Sequence, residues 1–175
     1  MPIVPYKGIK PRIAADVFIA PNSFVIGDVE IGSGSSVWYN CVIRADVNFV
    51  KIGAKTNIQD GTVVHVASKN PGSTIIGSNV TIGHAALLHA CEIADNSFIG
   101  MRSTIMDDVY VNQYGWVGAG ALITIGKKIN MGELWTGVPG KFSRNISARE
   151  KEEIKNSSQK YCNLASQYKA MDINF

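Results

Sequence analysis

Branched apolar residues recur at every sixth position along most of this chain. The members of this ladder are Ile13, Ile19, Val25, Ile31, Val37, Ile43, Ile52, Ile58, Val64, Ile76, Ile82, Leu88, Ile99, Ile105, Val111, Val117 and Ile123. Many of them are followed directly by glycine, and small or β-branched residues return four places later. A period of six fits neither an α-helix nor an alternating strand, but it suits short strands that turn a corner after each one.

The six-residue repeat predicts a mainly β fold, a left-handed parallel β-helix that forms a triangular prism with three strands in each coil. In such a prism, residues about 18 apart lie above one another on the same wall. We expect residues 11 to about 140 to adopt this fold. A sandwich of short strands is the alternative, but its turns would not recur at so strict a spacing.

Two longer steps interrupt the ladder. Nine residues separate Ile43 from Ile52, and twelve separate Val64 from Ile76. The extra residues have no place in the walls, so we expect loops around residues 46–50 and 68–73. Loops on a rigid scaffold are common places for functional sites, and these two lie beside the histidines of the chain.

The pattern changes after residue 146. Residues 147–150 have the form of a helix capping box. The apolar residues that follow lie at helical spacing, namely Ile154, Tyr161, Leu164, Ala165 and Tyr168. We therefore predict a β-helix domain over residues 1–146 and a C-terminal helix over residues 147–175, packed against the outside of the prism. A helix that binds a partner protein is the alternative.

Composition restricts the classes of function. The net charge is only +3 and the cationic residues are spread along most of the chain, which gives no support to nucleic-acid binding. No apolar segment approaches the roughly 20 residues of a membrane span. Cys41, Cys91 and Cys162 are odd in number and far apart, which favours reduced thiols over a disulfide framework. We therefore expect a cytoplasmic protein that does not bind membranes.

All three histidines of the chain, His65, His84 and His89, lie within one 25-residue stretch. Counting in steps of six places His65 and His84 on the same wall in neighbouring coils, and His89 beyond the next corner. Imidazoles on two walls of a convex prism can meet at one point if a second copy of the chain supplies one of them. This geometry predicts a cyclic trimer with a metal site in each interface. Three separate surface histidines are the alternative.

Polar residues crowd the coils before His65. These further candidates are Arg44, Asp46, Asn57, Gln59 and Asp60. Gln59 could hold a metal-bound water, and Arg44 could orient an anionic product with Asp46 and Asp60 fixing it. Alternatively, these are surface groups, with an ion pair between Arg44 and Asp60 across the trimer seam.

Over nearly its whole length, the chain resembles the γ-class carbonic anhydrases and the carbonic-anhydrase-like hexapeptide proteins around them. The resemblance rests on Arg44-x-Asp46, Asn57-x-Gln59-Asp60-Gly61, His65, Gly83-His84 and His89. It implies that His65 and His89 of one subunit and His84 of its neighbour hold zinc or Fe²⁺. It also implies that Gln59 contacts the metal-bound hydroxide, and that Arg44, Asp46 and Asp60 form an interface network beside it.

The chain departs from some members of that family in the segment after the first histidine. Those members carry an acidic loop there, with a glutamate that shuttles protons, whereas residues 66–73 contain no carboxylate. The resemblance is therefore to the shorter branch that lacks the shuttle. Tyr161 of the predicted helix is a further candidate, because it could lean over the site.

The function implied is a reversible hydration of CO₂ to bicarbonate, made slow by proton transfer. Two alternatives stay open. One is a non-catalytic trimer held together by metal, since a fold and a set of ligands do not prove turnover. The other is an acyl-CoA-dependent transferase, since residues 137–141 resemble the segment that ends the ladder in hexapeptide acetyltransferases.

Overall fold

A computed structural model of the chain describes residues 3–171. In chain order the strands are β1 (Ile3–Val4), β2 (Arg12–Ile13), β3 (Phe18–Ile19), β4 (Phe24–Ile31), β5 (Ser36–Val37), β6 (Val42–Ile52), β7 (Asn57–Ile58), β8 (Val63–His65), β9 (Thr74–Ile76), β10 (Thr81–Ile82), β11 (Leu87–His89), β12 (Glu92–Ile93), β13 (Phe98–Ile99), β14 (Thr104–Ile105), β15 (Tyr110–Val111), β16 (Trp116–Val117), β17 (Leu122–Ile123), β18 (Lys128–Ile129), β19 (Glu133–Thr136) and β20 (Lys141–Asn145). One helix, α1 (Ala148–Ala170), follows them.

The strands stack into three walls through about seven coils, which confirms the predicted parallel β-helix. Wall A contains β2, the second halves of β4 and β6, β9, β12, β15 and β18. Wall B contains β3, β5, β7, β10, β13, β16 and β19. Wall C contains β1, the first halves of β4 and β6, β8, β11, β14 and β17. Strands β19 and β20 pair antiparallel and end the stack.

The apolar ladder fills the inside of the prism. All of its predicted members except Ile13 are buried. The small residues four places later are buried as well, and several of them donate a hydroxyl group to a carbonyl of the next coil, as Thr56 Oγ1 does to the carbonyl of Gly77 at 2.7 Å. The ladder also passes through Ile93, which is fully buried only five residues after Leu88. A strict count of six missed Ile93 because the turn before it is one residue shorter.

The two insertions differ in structure. Residues 68–73 form the predicted loop. Around residues 46–50, however, the prediction of a loop was wrong, because β6 continues through them as a strand. Here the register jumps, so that Gly27 pairs with Ala45 but Val29 pairs with Val50. The extra residues therefore form a bulge in β6 opposite β4, at the corner between walls C and A.

Helix α1 lies against wall B and runs back along it. The predicted capping box is present, with the Ser147 side chain accepting from the backbone of Glu150 and the Glu150 carboxylate accepting from that of Ser147. Aromatic rings form the central contact, where Trp38 packs edge-on against Tyr161 and Tyr168 at centroid distances of 5.5 and 5.1 Å. The apolar face of the helix is thus covered within a single chain.

Two predictions from composition concern the described residues. Cys41, Cys91 and Cys162 are free thiols in the structure. Among residues 3–171, no helix is both long enough and apolar enough to cross a membrane.

Candidate metal centre

His65 and His89 lie side by side on wall C, at the corner where it meets wall A. They are register partners in β8 and β11, and their ring centroids are 5.1 Å apart. His84 lies elsewhere, in the turn from wall B to wall C, one coil beyond Asp60. The prediction that His65 and His84 share a wall, with His89 past the next corner, was therefore wrong.

The error has a simple physical cause. The loop at residues 68–73 adds six residues to one coil without adding a strand. Val64 pairs with Leu88, 24 residues later, rather than with Ile82. The position of a residue on the prism depends on how many strands precede it. The six inserted residues add no strand, so every later residue lies one wall earlier than a count in steps of six predicts.

A carboxylate holds each member of the histidine pair. Oδ1 of Asp46 lies 3.1 Å from Nε2 of His65, and Oδ1 of Asp107 lies 2.5 Å from Nδ1 of His89. Asp46 comes from the coil before the pair and Asp107 from the coil after it. The order along the corner is therefore carboxylate, imidazole, imidazole, carboxylate over four consecutive coils. We refer to these four residues together with Arg44 as the His65 cluster.

Both carboxylates of the His65 cluster are set to be ionised. Partial burial works against the charge of Asp46, but hydrogen bonds from His65 and Arg44 outweigh it, so the pKa of Asp46 lies below its ordinary value. Burial also works against the charge of Asp107, but the interactions with His89 and Lys69 outweigh it, so the pKa of Asp107 is lowered as well. An ionised carboxylate beside an imidazole fixes the orientation of the ring.

Arg44 belongs to the His65 cluster through its ion pair with Asp46. The Arg44 side chain is 43% exposed, so its guanidinium also faces solvent. Within one chain Arg44 pairs with Asp46 and Asp60 pairs with His84. The ion pair between Arg44 and Asp60 was predicted across a subunit interface, and it stays a prediction.

A second group of candidates surrounds His84 at the corner between walls B and C. Nδ1 of His84 lies 2.9 Å from Oδ2 of Asp60. Gln59 directly precedes Asp60 in sequence and is buried, and its amide Nε2 donates to Oδ1 of Asn57 at 3.0 Å. Asn57 is fully buried on wall B, where it donates to Thr81 Oγ1 at 2.9 Å. We call Asn57, Gln59, Asp60 and His84 the His84 cluster.

Tyr161 lies beside the His84 cluster rather than beside the histidine pair. Its ring packs on Trp38, and burial together with the negative charge of Asp60 raises the pKa of its hydroxyl. Tyr161 therefore stays un-ionised at neutral pH, and Asp60 is the candidate residue whose charge acts on it.

The nine predicted site residues thus fall into two clusters at two corners of the prism, with Tyr161 beside one of them. No hydrogen bond or ion pair between described residues of the chain joins the clusters. Within residues 3–171 of one chain, no three histidine, cysteine or acidic side chains converge to hold a metal ion.

Sequence reasoning missed Asp107 and Lys69. Lys69 stands in the loop after His65, and its Nζ lies 2.5 Å from Asp108 and 3.4 Å from Asp107. The spacing of 18 residues between His89 and Asp107 was a usable signal, because it places the carboxylate one coil beyond the imidazole.

Comparison with known proteins gives a consistent assignment. A family model described as "Bacterial transferase hexapeptide (six repeats)" matches residues 10–45. Gamma carbonic anhydrase 2, mitochondrial, from Arabidopsis thaliana is 47% identical over 159 residues, covering 89% of this chain and 57% of that protein. The chain therefore spans little more than half of the plant relative. A carbonic anhydrase from Geobacillus kaustophilus is 40% identical over 169 residues, covering 97% of this chain and 92% of that protein.

Among solved structures, a hexapeptide transferase family protein from Anaplasma phagocytophilum superposes with a TM-score of 0.91 and 42% identity. The alignment covers 95% of this chain and 98% of that one. This extends the similarity through the β-helix and most of α1. With relatives named as carbonic anhydrases at 40% identity and more over most of its length, the chain belongs to the γ-class carbonic anhydrase family of hexapeptide-repeat proteins.

Proposed function

We propose that this protein catalyses the reversible hydration of CO₂ to bicarbonate at a metal centre shared between two subunits of a homotrimer. One observation carries the proposal. His65 and His89 are neighbours at one corner, each held by a carboxylate, whereas the third histidine of the chain stands at another corner. His84 of an adjacent subunit would complete the set that neither corner holds alone.

The outer face of wall C supports association through that wall. Its outward residues form an apolar row in direct register, in which Phe24, Val63 and Leu87 are 45%, 36% and 40% exposed. An exposed apolar row on a flat sheet is typical of an interface. The row lies between the two corners that carry the clusters. Three copies meeting along wall C would therefore bring the His65 cluster of one subunit towards the His84 cluster of the next.

The donor set fits zinc, with Fe²⁺ as the other candidate, because both ions take imidazole nitrogen. Nδ1 of His65 and Nε2 of His84 and of His89 take part in no hydrogen bond within residues 3–171, so each ring keeps one nitrogen available. A bound zinc ion would supply Lewis acidity, which makes water a nucleophile at neutral pH.

The residues of the chain then have distinct tasks. Asp46 orients the imidazole of His65, and Asp60 orients that of His84. Gln59 has its amide nitrogen committed to Asn57, so its Oε1 is the atom left to accept a hydrogen bond from a water at the site. The Arg44 guanidinium, held by Asp46, would orient the bicarbonate anion.

Turnover should be slow, because a proton has to leave the site for solvent after each cycle. The loop at residues 66–73 offers no carboxylate and presents Lys69 instead. An ammonium ion already bound to two carboxylates is a poor proton acceptor.

We place the activity in a reducing compartment, the cytoplasm, because the three cysteines are free thiols.

Stopped-flow measurement of CO₂ hydration by protein loaded with zinc or Fe²⁺ tests this proposal. We expect activity that disappears in His89→Ala and after metal removal by a chelator. If fully loaded protein were inactive with both metals but remained trimeric, the proposal would fail in favour of a metal-held structural trimer.

Acyl transfer is the second candidate, and it is supported by the similarity to a hexapeptide transferase family protein over 95% of the chain. Such an enzyme needs a single histidine as general base, so the paired histidines would have no task in it. Release of free CoA thiol from acetyl-CoA in the presence of candidate amines would support this alternative.

A further inference from the structure

Asp107 contacts a candidate metal ligand although it belongs to none of the motifs that identify the family. Its Oδ1 lies 2.5 Å from Nδ1 of His89, and its side chain is only 24% exposed. The strand that precedes it, β14, stacks directly on β11, so the backbone at this corner is fixed by the coil. The contact is therefore built into the stacking of two coils.

The contact determines which nitrogen of His89 can bind a metal. A neutral imidazole carries one proton, and the nitrogen without it has the free lone pair. A carboxylate beside Nδ1 draws the proton to that atom, which leaves Nε2 as the ligand atom. Because the acceptor is charged, the hydrogen bond also resists rotation of the ring.

Lys69 holds the other oxygen of the same carboxylate. Its Nζ lies 3.4 Å from Oδ2 of Asp107 and 2.5 Å from Oδ2 of Asp108. The loop that carries Lys69 is itself fastened, since Ala67 N donates to Gly72 O at 2.7 Å and Asn48 Nδ2 donates to Ala67 O at 3.2 Å. The loop after His65 thus reaches across two coils to the partner of His89.

We propose that Asp107 is a positioning residue for His89, which fixes the proton on Nδ1 and the orientation of the ring, and that Lys69 holds the Asp107 carboxylate in place. The inference rests on the proposed metal centre and adds to it two residues that act through His89. It also assigns a role to the loop after His65, which contains no carboxylate in this chain.

Metal binding by the full-length protein tests the inference, with Co²⁺ as the probe because its visible bands report ligand geometry. The variant is Asp107→Leu, which removes the acceptor at similar size. The control is Asp108→Asn, because Asp108 also binds Lys69 but makes no hydrogen bond or ion pair with His89 among the described residues. Asp108 has φ of 59°, a conformation that asparagine tolerates.

We expect Asp107→Leu to weaken Co²⁺ affinity by about 10- to 100-fold and to shift the visible bands, while Asp108→Asn leaves both at wild-type values. Asp107→Asn should recover part of the affinity, because an amide oxygen still accepts from Nδ1. Lys69→Met should weaken binding less than Asp107→Leu, since the Lys69 side chain is 43% exposed and its ion pairs are screened by solvent.

A second measurement needs neither metal nor activity. The ¹⁵N shifts of the His89 ring in metal-free protein should place the proton on Nδ1 in the wild type and in Asp108→Asn, and move it towards Nε2 in Asp107→Leu. If the wild type binds Co²⁺ and Asp107→Leu binds it equally well with the same bands, the positioning role is refuted while the metal centre stands. If the wild type binds neither Co²⁺ nor zinc, the proposed centre and this inference fall together.

Discussion

His65 and His89 are separated by 24 residues in sequence, yet their rings lie one coil apart with centroids at 5.1 Å. A plain coil has 18 residues in this chain, as between Ile105 and Ile123, so the pair exists because the loop at residues 68–73 lengthens the intervening coil by six. The insertion that presents Lys69 is therefore also the reason that two histidines face the same corner.

Subunit complementation would test whether the site is shared. His84→Ala and His89→Ala proteins should each lose metal, but a trimer containing both retains intact sites where a His84→Ala subunit provides the pair and its neighbour provides His84. For a random 1:1 mixture the intact fraction is ½ × ½, so about one quarter of wild-type zinc should return. The measurement is zinc content after the two proteins are refolded together. Mixtures of either variant with itself are the control, and no recovery in the mixed sample would place all ligands in one subunit.

The apolar row on wall C should determine the oligomeric state. Leu87→Asp puts a carboxylate into the middle of that row, and burying an unpaired charge should weaken association by about 2 kcal/mol or more. Analytical ultracentrifugation should show dissociation at concentrations at which the wild type stays trimeric. Met131→Asp is the matched control, since Met131 is 56% exposed but lies at the corner between walls A and B. Equal effects of the two substitutions would contradict the assignment of the interface.

Proton transfer should limit turnover. We expect the rate of CO₂ hydration at saturation to rise with imidazole concentration until it reaches a plateau. Ser68 is exposed in the loop, and Ser68→Glu would add a proton acceptor there, so turnover in weak buffer should rise by about tenfold. Ser68→Gln provides the control of similar size. A rate that does not respond to buffer would show that another step is limiting.

Tyr161 can contribute through its ring or through its hydroxyl. Tyr161→Phe keeps the packing on Trp38 and should leave the unfolding free energy nearly unchanged, whereas Tyr161→Ala should lower it by about 1 to 2 kcal/mol because the side chain is half-buried. Chemical denaturation compares the two variants. We also expect the Phe variant to keep wild-type turnover. A loss of turnover without a loss of stability would instead assign a part in the reaction to the hydroxyl.

The start of α1 should be sensitive to acid. Hydrogen bonds from Arg144, followed by those from the Ser147 backbone and side chain, lower the pKa of Glu150 from 4.5 to about 2. Since the folded-state pKa is the lower one, the stabilisation is complete above pH 4.5 and is lost as the pH falls towards 2. The melting temperature of the wild type should exceed that of Glu150→Gln at neutral pH, and the difference should vanish over this interval. Glu153→Gln, which removes a single exposed ion pair to Arg149, should show a much smaller difference.

The fold could be predicted from the sequence because burial inside a β-helix repeats in every coil. Each ladder position needs a branched apolar side chain, so the pattern appears at every wall. The histidine geometry could not be predicted in the same way, because residue counts do not reveal where an inserted segment leaves the wall. Ile93 illustrates the same limit in the other direction, since its short turn shifts the count by one residue.

The site residues show a similar division. Sequence motifs identify the site residues, but the contacts among these residues depend on which coils are stacked next to each other. Asn57 and Gln59 lie close to His65 in sequence, yet in the structure they belong to the His84 cluster, on the side of wall B. Asp107 has no motif of its own, and it becomes visible only once His89 is placed one coil before it.

Helix α1 connects parts of the chain that are made at very different times. Ser158 Oγ donates to Lys55 O, Cys162 Sγ to Gly34 O and Lys169 Nζ to Ala15 O, so the helix runs back from the middle coils to the first ones. During synthesis on the ribosome, the early coils must therefore wait with wall B uncovered until more than 100 further residues have emerged. Their exposed aromatic residues, Phe18 and Trp38, are the surfaces on which a nascent chain would meet chaperones or associate wrongly.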